Sequence, residues 1–271
     1  MTNKKVLFVA SEMVPYLPEN EVSLMAYESP RMVNDRGGQI RIFMPRFGNI
    51  NERRHQLHEV IRLSGMNLVV NDMDMPLIIK VASIPKERIQ VYFIDNEEYF
   101  KRKATFTDEE GNLFPDNDER AIFFAKGVVE TVKKLNWSPD IIHVHGWLAS
   151  LVPMYLRNYY ADEPLFSESK IVTSVYSNGF EGVLDKEMVN KVYMDGIDNE
   201  EMTFLETPDY SNLLKVAIAN SDAVVVASED IPSAIQEYIN EIGKPSLPYV
   251  SIYEFEEAYT NFYEKEVLGN K

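Results

Sequence analysis

Residues 138–156, SPDIIHVHGWLASLVPMYL, decide the fold. Pro139 breaks whatever precedes it, and Asp140 to Val144 is a short β-branched run of the kind buried in parallel sheets. Beyond it Trp147, Leu148, Leu151, Val152 and Tyr155 recur at helical spacing. The stretch reads strand, tight loop, helix. In open α/β sheets ligands are met outside the carboxyl ends of the strands, which places His145 and Gly146 where a substrate would arrive.

On the N-terminal side, Lys4 to Ala10 is an apolar strand. A helix is expected from about Asn20 to Asp35, with Val22, Met25, Ala26, Ser29, Met32 and Val33 on one face, weakened in its middle by Pro30 and ended by Gly37-Gly38. Gln39 to Met44 is a second strand, so the chain opens with a βαβ unit and a right-handed crossover. Residues 55–94 change character. Val60–Leu63, Asn67–Val70, Pro76–Ala82 and Arg88–Ile94 are short β-rich runs punctuated by Gly65, Asn71-Asp72 and Pro85-Lys86, the pattern of an antiparallel insertion or edge strands, with Val91 to Ile94 rejoining the main sheet. Residues 96–115 are charged and irregular and predict a surface loop.

Asp116 opens the clearest helix, with Glu119 three residues on as a capping-box variant and a buried stripe of Ala121, Phe124, Ala125, Val128, Val129, Val132 and Leu135. After the opening stretch come a strand at Ser169–Val175, helical or loop material to Glu206, a helix at Asp209–Asn220, a strand at Ala223–Ala227 and a helix at Ile231–Ile242. Such alternation predicts an α/β fold, a single Rossmann-like domain over 1–271 with a mostly parallel sheet. The tail, 249–271, reads as a helix with Ile252, Phe255, Tyr259, Phe262 and Tyr263 on one side. That aromatic stripe either packs on the chain's own sheet or presents a patch to a protein partner or a second copy, giving a homo-oligomer.

Composition narrows the function. With 43 Asp and Glu against 27 Lys and Arg, a net charge of −16 and no basic block, neither nucleic acid nor an anionic membrane is an expected partner. No run of 18 apolar residues exists, and Lys4-Lys5 leads straight into a strand instead of a signal peptide, so a cytoplasmic location is expected. Cysteine is absent, which removes disulfides, thiolate catalysis and cysteine-held metal. Glycine numbers 12 of 271, below the average of about 7%, and no standard phosphate-cradling motif occurs. No cofactor is expected.

Five blocks carry a resemblance to a known family: VLFVASEMVPY (6–16), RIFMPRFG (41–48), PDIIHVHGWLASLVPMYLR (139–157), IVTSVYSNGFEG (171–182) and NSDAVVVAS (220–228). In order and spacing they resemble the bacterial glycogen and plant starch synthases, ADP-glucose-dependent glucosyltransferases of GT-B architecture. The resemblance implies the N-terminal half of such an enzyme, with no counterpart to the second, donor-binding domain. It also implies a degenerate site. Where the family opens its first helix with a KTGGL loop, this chain has Pro18, Glu19, Asn20, Glu21 and Val22; a cation and small residues that would meet a diphosphate give way to carboxylates and bulk. The family's following aspartate falls on Leu24. Its HDW triplet becomes His145-Gly146-Trp147, and the histidine and asparagine of its TIHN-like run become Tyr176 and Ser177. Glu12 is the one carboxylate expected near the cleft.

The resemblance thus implies a synthase-like protein that is inactive as an isolated chain and binds an α-glucan, a maltooligosaccharide or a protein partner, no residue being assigned a catalytic role. The alternative it leaves open is a residual glucosyltransferase half that works when another chain supplies the donor domain. His145 and Trp147 either stack on and hydrogen-bond a sugar or serve structure. His143 and His145 lie two apart, but with only His55 and His58 besides and no carboxylate motif, a metal site is not expected. Ser177-Asn178-Gly179 lacks a nucleophile elbow and predicts a turn, and the acidic clusters at 108–110 and 195–201 predict solvated faces.

Overall fold

A computed structural model describes residues 1–84, 87, 89–177 and 179–269. The expected punctuation at Pro85-Lys86, the start of the strand at Arg88, Asn178 of the turn and the last two residues of the tail lie outside these. In chain order the strands are β1 (Lys5–Ala10), β2 (Gln39–Pro45), β3 (His58–Glu59), β4 (Met66–Val70), β5 (Met73–Ser83), β6 (Gln90–Asp95), β7 (Ile141–His145), β8 (Lys170–Val175), β9 (Ala223–Val226) and β10 (Ser246–Leu247). The helices are α1 (Glu21–Asp35), α2 (Glu52–His55), α3 (Glu97–Phe100), α4 (Asn117–Lys134), α5 (Val152–Arg157), α6 (Met188–Tyr193), α7 (Tyr210–Ala219), α8 (Ser233–Ile242) and α9 (Phe255–Asn261).

The sheet runs β10-β9-β8-β7-β1-β2-β6-β5-β3, with β4 hairpinned to β5. From β10 to β6 every pairing is parallel; β5 joins β6, β3 and β4 antiparallel. The fold is therefore α/β, mostly parallel, with the antiparallel insertion at one edge and Val91–Ile94 of β6 back in the main sheet, as the patterning implies. Right-handed crossovers in opposite directions from β1 set α1 on one face, where α9 joins it, and the mutually packed α4, α5, α7 and α8 on the other. Two aspartates lock the register. Asp140, just before β7, accepts from Lys5 N–H at 2.7 Å, and Asp222, just before β9, accepts from Ile171 N–H at 2.7 Å, each clamping the start of the neighbouring strand.

Several local expectations give way to the structure. Val60–Leu63 is a turn, and the short strand precedes it at His58–Glu59. Residues 96–115 are not wholly irregular: Asn96 caps α3 by accepting from Glu98 N–H and Tyr99 N–H. Asp116 caps nothing, because its carboxylate is taken by Arg102 at 2.8 and 2.6 Å, while Glu119 accepts from the Tyr99 hydroxyl instead of closing a capping box. The tail has no regular structure through 248–251, turns, and becomes helical at Phe255, passing into a π-helical turn over Phe262–Val267. Phe255, Tyr259, Phe262 and Tyr263 are buried in the chain's own core. The helical aromatic stripe is therefore not an exposed oligomerisation patch.

Candidate functional site

The order of the strands reverses at β1 and β7, and the loops that leave those two strands bound the crevice where doubly wound sheets take ligands. The two loops are tied together. Ser11 N–H donates to the His145 carbonyl at 2.9 Å, and Ser11 Oγ accepts from Leu148 N–H at 3.0 Å. Gly146 lies between them with φ 81° and ψ 158°, a conformation that only glycine occupies readily. A Cβ on it would stand 2.7 Å from Ser11 Oγ and 3.1 Å from Val22 Cγ1. The position aligned with the family's acid is thus closed to any side chain by the packing of β1 and α1.

His145 is fully buried. Its Nδ1 shares a hydrogen bond with the Tyr176 hydroxyl at 2.7 Å, and its Nε2 is buried without a partner among the described residues. Burial pushes its pKa down to about 3, so the ring is neutral at physiological pH. His143, one strand pleat below, lies with its ring centroid 4.1 Å from that of His145 and is bound to Ser174 Oγ at 2.8 Å through Nε2 and to the Tyr263 hydroxyl through Nδ1. Burial first, and the neighbouring His145 second, hold it neutral too. Tyr176 is buried, and burial raises its hydroxyl well above the usual phenol range. These groups make an uncharged polar layer beneath the crevice, roofed by the tail.

Trp147 is only 5% exposed, its indole held between Phe106 at 4.7 Å and Phe180 at 4.9 Å between centroids. Both His145 and Trp147 are buried, and the aromatic surface that lines the open cleft is that of Phe180 and Tyr210. Phe180 lines an open cleft of about 560 Å³ with Ser177, Gly179, Asp209, Tyr210 and Pro232. Gly179 is required there, since a Cβ would fall 2.3 Å from the Tyr210 ring, whose hydroxyl donates to the Tyr176 carbonyl at 2.7 Å. Phe180 lies in the 171–182 block but was not singled out there, and Tyr210 lies in none of the blocks; the packing of the β8 loop on α7 brings the two rings together.

The Pro18–Glu21 loop lies on the opposite lip. Asn20 is the N-cap of α1, its Oδ1 accepting from Ser23 N–H at 2.8 Å while Ser23 Oγ accepts from Asn20 N–H at 2.8 Å, a complete capping box. Pro18 and Glu19 are exposed. Glu21 sends its Oε2 across the crevice to accept from Ser177 Oγ at 3.0 Å and Ser228 Oγ at 2.5 Å. Ser228, missed by sequence reasoning, follows β9 as Ser11 follows β1, and it also receives Ser177 N–H at 2.8 Å. Glu12 is half-buried, accepts from Asn20 Nδ2 at 3.3 Å, and is raised above the usual carboxyl range because burial outweighs that bond. The capping box takes the Asn20 and Ser23 N–H groups at this end of α1, and the Glu21 carboxylate stands in its first turn, beside the positive end of the dipole.

A switch-point crevice of this kind, on a sheet of this order, defines a doubly wound, Rossmann-type α/β domain. Residues 5–246 match the family model for the starch synthase catalytic domain, and the chain belongs to that family. It is 35% identical over 228 residues to the glycogen synthase of Chlorobium luteolum, covering 84% of this chain and 46% of that protein. It is 37% identical over 212 residues to that of Chlorobium phaeobacteroides, covering 76% and 43%. The chain thus spans about half the length of the curated relatives it matches. The catalytic domain of starch synthase IV from Arabidopsis thaliana, solved with ADP and acarbose bound, superposes with a TM-score of 0.76 over 92% of this chain and 52% of that one, at 16% identity.

Proposed function

We propose that this chain is a synthase-like module that binds an α-glucan or a glucan-associated protein partner and does not transfer glucose on its own. The observation that carries this reading is the Glu21 carboxylate, fixed by Ser177 and Ser228 at the N-terminus of α1. The family resemblance puts there a lysine and glycines that would meet the diphosphate of ADP-glucose. Two like unit charges about 4 Å apart near a protein surface repel by about 4 kcal/mol, whereas a helix dipole returns only about 0.3–1 kcal/mol. Repulsion wins, and transfer chemistry that depends on stabilising a departing nucleotide diphosphate loses its support.

A neutral oligosaccharide meets no such opposition. The cleft beside Phe180 and Tyr210 offers aromatic surface, the Asp209 carboxylate and the Ser177 and Ser211 hydroxyls, the chemistry that receives sugar rings. The starch synthase IV structure, with acarbose bound, supports an oligosaccharide as the ligand class. The test is an assay of ADP-glucose consumption with maltoheptaose, run with this chain alone and with a separate donor-domain chain, beside calorimetric titration of maltoheptaose. Binding without turnover in both settings is the expected result. Turnover only when the donor-domain chain is added would replace this reading with the residual-half enzyme.

A further inference from the structure

Beside the cleft, on the far side of Glu21, lies a second and more enclosed cavity of about 260 Å³ between the first turns of α1 and the tail. Its walls are Leu24 and Met25 of α1, Tyr249 and Tyr253 of the tail, and the buried Tyr259 of α9. Tyr253 is 94% exposed and Tyr249 is 42% exposed, yet both lie on a stretch stiffened by Pro245 and Pro248. Large aromatic rings left this open, beside a concave apolar surface, are unusual unless something covers them. The match to the family model ends at residue 246, so Tyr249 and Tyr253 lie beyond the matched residues.

Charge selects the ligand class. Among the described residues that line the cavity, Glu21 is the only charged one. Its Oε2 is engaged by the two serines, and its Oε1 accepts no hydrogen bond among the described residues. An anionic ligand would be repelled by that carboxylate, and a purely apolar one would leave it unanswered. A pyranose satisfies both demands, with its C–H face against a tyrosine ring and a hydroxyl donated to the carboxylate. Glu21 is also the divider between the two cavities, since its partner Ser177 lines the cleft.

We infer that Tyr249, Tyr253 and Glu21 form a second subsite for a neutral glucose unit, so that an α-glucan chain lies across Glu21 from the cleft onto the tail. The inference rests on the glucan reading of the cleft and extends it to a surface that α1 and the tail make together. The test is calorimetric titration of maltoheptaose into the full chain, its Tyr249→Ala/Tyr253→Ala double variant, a Tyr253→Ser variant and a Phe180→Ala variant. The expected result is a loss of affinity of about tenfold for the double variant and a smaller loss for Tyr253→Ser, each with an unchanged melting midpoint; tenfold is a modest fraction of a typical binding free energy. Glucose 1-phosphate is expected to bind more weakly than maltose. Wild-type affinity in both tyrosine variants, with binding lost in Phe180→Ala, overturns the subsite and leaves the glucan reading standing. No heat from maltoheptaose with the unmodified chain overturns both.

Discussion

Gly146 shows how a single residue sets the shape of the crevice. Its positive φ and the 2.7 Å approach of Ser11 Oγ to a built Cβ mean that Gly146→Asp, which restores the family's acid on paper, distorts the β1–β7 junction. The backbone alone costs of order 1–3 kcal/mol in that region, and urea denaturation is expected to show at least that loss with no gain in turnover. His145 and His143 give a pH signature. Both pKa values are lowered by burial, so the unfolded chain binds more protons once the pH drops below about 6.5, the unperturbed histidine value. Stability is fully present above that pH and falls as the pH decreases, by up to about 1.4 kcal/mol per unit for each ring, until the folded-state values are reached. Glu12, raised by burial, acts in the opposite sense, favouring the fold below its raised value and losing that as the pH rises through it. Comparing urea midpoints of the wild type and His143→Gln between pH 7.5 and 5 isolates one ring; a shallower slope in the variant is expected. At this scale the sequence located His145 and Gly146 correctly at a strand end. It could not show that both histidines are buried, because Tyr176 and Tyr263, which cover them, come from 31 and 120 residues away.

Elements were legible where one segment contains its own reason. The βαβ opening, α4 and the β7 strand follow from local periodicity, and α1 starts one residue after its expected start at about Asn20, which the structure makes the cap. Pro30 stays inside α1, buried on its packed side, because burial of the flanking Met25, Ala26, Met32 and Val33 outweighs one missing backbone donor. Elements failed where the partner is remote. Asp116 could not cap α4 because Arg102 claims it, and the tail could not be placed without knowing that α9 packs beside α1. The tail's aromatic residues are core residues: Phe255→Ala is expected to cost about 3 kcal/mol or more, read as a lower denaturation midpoint. An unchanged midpoint would mean that α9 is not docked. Glu21 joins three elements at once, α1 with the ends of β8 and β9. Glu21→Ala removes charge-assisted bonds at a surface position and is expected to cost about 1 kcal/mol, with faster amide exchange at Ser177 and Ser228.

For the molecule as a whole, the net charge of −16 and the carboxylate-lined crevice agree with each other. Both oppose an anionic ligand electrostatically and are indifferent to a neutral one. Among the described residues no helix is long and apolar enough to cross a membrane. The α/β class and the antiparallel insertion were readable from alternation and punctuation, because strand and helix periodicities are local properties. The proposed binding surface was not, since Phe180, Tyr210, Ser228 and the Tyr249–Tyr253 wall belong to four separate segments of the chain. The central claim is that donor-phosphate recognition is gone while glucan recognition remains. Calorimetric titration of ADP-glucose and of maltoheptaose into the same sample of the chain tests it most directly. Heat of binding with maltoheptaose and none with ADP-glucose is the predicted result; saturable binding of ADP-glucose would contradict it.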